Sequence, residues 1–320
     1  MNSGIKVNIS EIVDGIKAGD TRILSRAISI IENDYVESEE ILKKIYPLAT
    51  GDYRIGITGP PGAGKSTLVS KLVKCYRKQN KRIGVIAVDP TSPFSGGAVL
   101  GDRIRMSEVV TDPGIFIRSM ATRGSMGGLS KTAQEVADIM SASGMDIIIF
   151  ETVGVGQIEL DVARASDTTL VLLVPESGDS IQAMKAGLME IADIFVINKA
   201  DRQGAEKLKI ELETMLQLRV DKDGWNIPIL KTVANKEKGI EELIFEINKH
   251  LNFLNQTGTL KNKRYHRIID LIYNYVRQKL EQDFWNINRI NLLNDRIIDV
   301  MNHNLSMQDL VRELQNNEEI

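Results

Sequence analysis

Positions 58–67 read TGPPGAGKST, and within them Gly59, Gly64, Lys65 and Ser66 fit the spacing G-x-x-x-x-G-K-[ST]. Glycines at 62 and 64 let successive backbone N–H groups turn inward around phosphate oxygens, while a following helix offers its positive N-terminus. Gly59, Gly62, Ala63, Gly64, Lys65, Ser66 and Thr67 would then line an anion cradle. Lys65 would reach the β and γ phosphates, and the Ser66 hydroxyl would ligate Mg2+. A bare glycine turn with no ligand is the alternative, and context argues against it: the loop follows RIGIT, a strand pattern, and precedes STLVSKLVKCY, a helical one.

A phosphate loop does not choose a base. That choice falls to Asn198-Lys199-Ala200-Asp201, directly after the apolar run DIFVIN. A carboxylate at Asp201 accepts from both guanine N1–H and the 2-amino group, whereas adenine offers an acceptor at N1 and no 2-amino group. Adenine would leave that acid desolvated and unpaired, which discriminates strongly. Lys199 would lie along the base plane and Asn198 would brace the loops, so the pattern implies GTP or GDP together with Mg2+.

The metal side and the hydrolytic machinery are read from acids at strand ends. DIIIFETVGVGQ puts Glu151 at the end of an apolar run and Gly154 three positions later, where Glu151 would hold Mg2+ and the Gly154 N–H would contact the γ phosphate. Asp89 ends another strand and Asp102 opens the next helical stretch in VDPTSPFSGGAVLGDRIRM. Both are candidates for orienting water around the metal, with an N-cap as the plain alternative for Asp102. Lys65, Asp89, Asp102 and Glu151 are thus the candidate catalytic set; Ser66, Asp89, Asp102 and Glu151 are the candidate metal set. Ser92, Ser95, Gly96 and Gly97 suit a switch segment. No residue emerges as a catalytic base. Gln157 is a weak candidate for placing water, and Arg103, Arg105, Arg118 and Arg123 are each more simply surface or phosphate-bracing arginines than a catalytic finger. Slow hydrolysis by the isolated chain, stimulated by a partner, is the expectation.

The elements that must position these residues follow from periodicity. From Arg54 onward, RIGIT, RIGVIAV, GIFIRS, DIIIFET, TTLVLLV, DIFVIN and IPILKT alternate with amphipathic helical segments, which implies an α/β P-loop NTPase fold with a mostly parallel central sheet flanked by helices. Residues 1–50 carry helical stripes at Ile9, Ile12, Val13 and Ile16 and at Ile23, Ala27, Ile28 and Ile31, an N-terminal helical extension. The P-loop domain then covers residues 51–253, closing with GIEELIFEINKHL. A polar joint, NQTGTLKNK, leads to a helical region over 254–320 with Ile268, Ile272, Tyr275 and Val276 in register and a short last helix capped by Ser306. This tail reads as a dimerisation or docking element, or as helices packed on their own domain.

Composition bounds the rest. With 320 residues, 42% hydrophobic and 26% charged, the chain is ordinary for a globular protein of one large domain with attachments. A net charge of -3 argues against a generally basic nucleic-acid binder. No stretch approaches the roughly 18 apolar residues of a membrane span, and the start, MNSGIKVNISEIVDG, lacks a signal pattern, so the expectation is a cytoplasmic protein with no membrane and no nucleic-acid partner. Cys75, the single cysteine, has no disulfide partner and reads as a structural thiol.

GPPGAGKST, VDPTSPFSGGAVLGDRIRM, TRGSMGG, ETVGVGQIE, PESGDSIQAMKAGLMEIAD and NKAD together closely resemble the methylmalonyl-CoA mutase-associated GTPases, the MeaB/ArgK-like group. The resemblance covers about residues 20–250 and is carried mainly by the long middle motif. It implies a GTPase chaperone of an adenosylcobalamin-dependent acyl-CoA mutase, one that gates cofactor loading and protects the mutase, and a homodimer through C-terminal helices. It also implies phosphate and magnesium roles for Lys65, Ser66, Asp89, Asp102 and Glu151, base reading by Asn198 to Asp201, and a coupling loop over Pro175 to Lys185. Ile158 departs from the small polar residue expected after Gln157, and the tail matches only loosely. A nickel-insertion GTPase would need soft or imidazole ligands, and His250, His266, His303 and Cys75 lack ligand spacing. An ATP-dependent kinase linked to transport and a nucleotide-sensing scaffold are the other readings.

Overall fold

The computed structural model describes residues 8–89, 111–121, 131–152, 158–177, 187–217 and 224–316. Three helices come first, α1 (Ile9–Lys17), α2 (Thr21–Glu32) and α3 (Ser38–Ile45). Side-chain caps start the first two: Asn8 Oδ1 accepts from the Glu11 N–H, and Asp20 Oδ1 accepts from those of Arg22 and Ile23. The alternating part follows as β1 (Tyr53–Thr58), α4 (Lys65–Lys78), β2 (Ile83–Asp89), β3 (Ile115–Ala121), α5 (Lys131–Ala142), β4 (Ile147–Thr152), α6 (Ile158–Ala165), β5 (Thr168–Leu173), α7 (Gly187–Ile191), β6 (Ile194–Ile197), α8 (Ala205–Gln217), β7 (Ile229–Lys231) and α9 (Ile240–Thr257). Three more helices close the chain, α10 (Thr259–Phe284), α11 (Ile287–Met301) and α12 (Met307–Asn316).

The seven strands form one sheet in the order β3-β2-β4-β1-β5-β6-β7, and every pairing is parallel. β1, β4 and β5 are buried along their whole length, which is why they read as near-continuous apolar runs instead of alternating ones. Alternate strand residues feed opposite layers. Ile86, Val88, Ile148 and Phe150 pack beneath α5 and the three leading helices, whereas Ile55, Ile57, Val85, Ile149 and Leu172 pack against α4 and α9. The N-terminal helices are therefore part of one sheet layer. Arg118 of edge strand β3 adds an ion pair to Glu32 of α2 and donates to Ser29 Oγ at 3.2 Å.

The expected polar joint NQTGTLKNK is largely helical. Gly258, at φ +76, ends α9 in a left-handed turn and α10 begins at the next residue, because a glycine at that position lets the chain reset without a linker. The chain divides into two compact units, Met1–Arg267 and Ile268–Ile320. In the second, the Arg289 guanidinium donates to Leu314 O at 2.9 Å and Phe284 O at 2.8 Å, Arg296 pairs with Glu313 at 3.1 Å, and the Ser306 hydroxyl caps α12 by accepting from the Asp309 N–H. No helix among the described residues is long and apolar enough to cross a membrane.

The N-terminal edge of the sheet is tied by buried charge. Asp167, fully buried at the start of β5, accepts from Arg264 and Arg267 at 2.7 Å each and from the Arg54 N–H at 3.1 Å. Beside it a chain of polar groups runs from Tyr53 through Thr168 Oγ1 to His250 Nδ1, the last step 2.6 Å, with the Trp225 ring 4.7 Å from the imidazole. His250 is 1% exposed, and burial pushes its pKa down to about 4 against the pull of Asp193. The folded state thus holds it neutral while the unfolded chain protonates it below about pH 6.5. Its contribution is complete above that pH and is lost as pH falls toward the folded value. Urea unfolding at about pH 7 and about pH 5 is expected to show a loss of about 2 kcal/mol from this residue, and His250→Asn is expected to flatten the dependence over that window.

Candidate functional site

Parallel strands deliver their C-terminal ends to one edge, and loops leaving that edge build the crevice of an open α/β sheet. Here β1 lies between β4 and β5. On one side Glu151 of β4 sits in register with Ile57 of β1, and Asp89 ends β2 one strand further out. On the other side β6 runs into Asn198 and β7 into Thr232. The acids and the base-reading loop therefore flank the glycine loop that leaves β1.

That loop is glycine-dependent for steric reasons. Gly59 has φ +140, and a Cβ on it would stand 2.1 Å from Leu172 O; Gly64 has φ +91, and a Cβ there would stand 2.4 Å from Asn198 Nδ2. Ala63 is fully buried beneath the turn, Gly62 also has positive φ, and Thr67 is exposed on the first turn of α4. Lys65, 6% exposed, turns back over the loop and donates to Gly59 O at 2.7 Å and Pro60 O at 3.1 Å. Burial lowers its pKa, partly offset by Glu151 and Glu159. A buried ammonium whose hydrogen bonds among the described residues go to carbonyls is poised to exchange them for phosphate oxygens. The Ser66 hydroxyl, at the helix N-terminus, hydrogen-bonds Glu151 Oε1 at 2.6 Å, so two hard oxygen donors stand where a small divalent cation would be taken.

Asn198, 2% exposed, joins three loops: its amide nitrogen donates to Ala63 O at 2.8 Å, and its oxygen accepts from Thr232 Oγ1 at 3.1 Å and the Ala234 N–H at 3.2 Å. Lys199, at φ 55, donates to Gly62 O at 2.7 Å. Asp201 lies on the wall of a cavity of about 480 Å³ with Arg202, Glu206, Lys231, Val233 and Lys238, and its Oδ2 accepts from Lys236 Nζ at 2.7 Å. That hydrogen bond holds the Asp201 carboxyl below its usual range. Asn198 and Lys199 tie the loop that carries Asp201 to the glycine turn through Ala63 O and Gly62 O, an arrangement suited to one ligand with an anion at the turn and a flat polar ring at Asp201.

Several expected residues lie outside the described ones: Asp102, Gly154, Gln157, Arg103, Arg105, Arg123, Ser92, Ser95, Gly96, Gly97 and most of the Pro175 to Lys185 loop, with the side chain of Asp89. Arg118 is engaged with α2 through Glu32 and Ser29, which removes it as a finger. Cys75 is half-buried against the core, where burial pushes its thiol pKa up. Sequence reasoning missed Thr232, Ala234 and Lys236. Their signal was positional: TVANKEKG leaves the C-terminal end of the last parallel strand, the place where such sheets bind ligands.

A family model described as methylmalonyl Co-A mutase-associated GTPase MeaB matches residues 24–289. A Pyrococcus abyssi protein provisionally named a GTPase is 54% identical over 263 residues, 81% of this chain and 81% of that one. The mitochondrial methylmalonic aciduria type A homolog of Mus musculus is 32% identical over 294 residues, 86% of this chain and 71% of that protein. A crystal structure of an LAO/AO transport system kinase is similar over 98% of this chain and 99% of its own, with TM-score 0.72 and 26% identity.

Asp201→Asn tests the base assignment. If Asp201 reads guanine, the variant loses two charge-assisted acceptor contacts and GDP affinity is expected to fall roughly a hundredfold. Xanthosine diphosphate should gain, because the amide can donate to the 2-oxo group and still accept from N1–H. Competition calorimetry with GDP, XDP and ADP reads the outcome.

Proposed function

This chain belongs to the methylmalonyl-CoA mutase-associated GTPase family MeaB, and from that premise we propose that it is a chaperone of an adenosylcobalamin-dependent acyl-CoA mutase, timed by its own GTP cycle. The observation that carries the GTP part is the single buried Asn198 carboxamide linking the phosphate turn to the base-reading loop. The mutase part is supported by the family match across most of the chain and by the 32% identity to the mouse methylmalonic aciduria type A homolog.

In this reading the backbone amides of the glycine turn and the first turn of α4 receive the phosphates of GTP. Lys65 releases the Gly59 and Pro60 carbonyls and turns to the β and γ phosphate oxygens. Ser66 and Glu151 would hold Mg2+, with Asp89 and Asp102 as the further candidate acids; bound there, the ion would supply charge neutralisation for the phosphates. Gly154 would report the γ phosphate, and Asn198, Lys199 and Asp201 fix the base. Exposed Ile272, Tyr273, Val276 and Leu280 on α10 support a homodimer through the C-terminal helices.

With Arg118 committed to Glu32, charge on the transferring phosphoryl group calls for an arginine from elsewhere in the chain or from the partner, so intrinsic turnover is slow. Single-turnover phosphate release should run well below about one per second for the isolated chain and rise at least about tenfold with the mutase of the same organism. Fast turnover alone, or a rate indifferent to saturating mutase, would overturn the chaperone reading while leaving nucleotide binding intact.

A further inference from the structure

Asp201 carries the base reading from a half-exposed position, and a carboxylate there rotates freely in water unless something holds it. The holding group is on the facing turn. Lys236 ends the short 3-10 helix Ala234–Lys236, and its Nζ reaches Asp201 Oδ2 at 2.7 Å, with the two side chains 55% and 41% exposed. The turn beneath Lys236 is fixed. Val233 and Lys238 bridge across it, the Lys236 N–H donates to Val233 O at 2.9 Å, and Ala234 donates to the same Asn198 oxygen that organises the site. Val233, on the cavity wall, offers no side-chain donor of its own.

An ionised carboxylate has about four acceptor positions. Guanine N1–H and the 2-amino group take two, one on each oxygen, which leaves room for Lys236 on a third. The ammonium and the base are therefore compatible on one carboxylate. We propose that Lys236 is a positioning residue for base recognition: it holds Asp201 in one orientation and ionised, so that guanine meets an acceptor pair already in place. This deepens the guanine-nucleotide reading of the same cavity and rests on it. The Asp201 carboxyl lies below its ordinary range chiefly because of this hydrogen bond, in keeping with the geometry. The other charged groups on the same cavity wall are Arg202 on its own loop, Lys231, Lys238 and Glu206 of α8, which pairs with Lys231 at 2.7 Å.

The test measures GDP, IDP and ADP binding by the full chain, wild type, Lys236→Met and Lys236→Arg, from about pH 7.5 down to about pH 3.5, below the ordinary aspartate pKa. Inosine lacks the 2-amino group and so uses one Asp201 contact instead of two. Lys236→Met is expected to weaken GDP binding about threefold to tenfold, reduce the preference for GDP over IDP, and move the acid limb of GDP binding to higher pH, since Asp201 then protonates more easily. Lys236→Arg should restore all three. Wild-type GDP affinity with an unmoved acid limb in Lys236→Met would overturn the proposal, and tighter binding would overturn it too, by making Lys236 a competitor for Asp201. A wild-type preference for ADP would instead sink the guanine reading itself, and it shows before any variant is made.

Discussion

Asn198 is 2% exposed, and among the described residues its side chain bonds to main chain or hydroxyl groups of two other loops: Ala63 O, Thr232 Oγ1 and the Ala234 N–H. Because a buried amide left half-satisfied costs on the order of 1–3 kcal/mol, the three loops cannot drift apart independently. The same side chain explains the glycine at 64, where a Cβ would stand 2.4 Å from its nitrogen. Glycine-rich turn, base-reading loop and the turn after β7 are thus one object. That constraint gives the site a fixed span, with an anion seat at one end and Asp201 at the other.

The two edges of the sheet are held differently. At the N-terminal edge, Asp167 is fully buried against Arg264 and Arg267, and Arg54, 7% exposed, pairs with Asp52 and Asp138 at 2.6 Å each. Removing one partner there strands a buried charge, at a cost of several kcal/mol. At the C-terminal edge the pairs are of another kind: Lys65 on carbonyls, Ser66 on Glu151, Lys236 on Asp201, Arg202 on Glu176. The last two are largely exposed pairs that water screens. A ligand can replace such contacts without unfolding anything. Rigidity sits on one edge and exchangeable contacts on the other, which is the division a nucleotide cycle requires.

Seven strands and their parallel pairing were legible because buried parallel strands are apolar throughout, and DIIIFET or TTLVLLV admit few other structures. The phosphate turn was legible because its glycines answer to sterics that spacing alone reveals. The leading helices were read as a preface, and their role as part of a sheet layer was not visible, since which face a stripe covers depends on Arg118 and Glu32, far apart in sequence. The joint near Gly258 misled because polar residues such as Asn255, Gln256 and Asn262 suit an exposed helix as well as a linker. Lys236 was illegible for a related reason. A lysine in NKEKG has no periodic or motif signature, and its meaning comes from the turn that brings it to Asp201.

The base-reading loop also touches the turn that leaves β5. Arg202, next to Asp201, is ion-paired with Glu176, and Pro175 lies 3.6 Å from where a Cβ on Gly204 would stand. Glu176 is the second residue of PESGDSIQAMK, so the start of that stretch contacts the Asn198–Asp201 loop and its neighbour Arg202. A ligand that tightens Asp201 therefore acts on Arg202 and Glu176 through the shortest possible path, one peptide unit and one ion pair. Energetically that path is weak, because both side chains are 52% exposed, and weak coupling favours a turn that is biased by nucleotide without being locked by it.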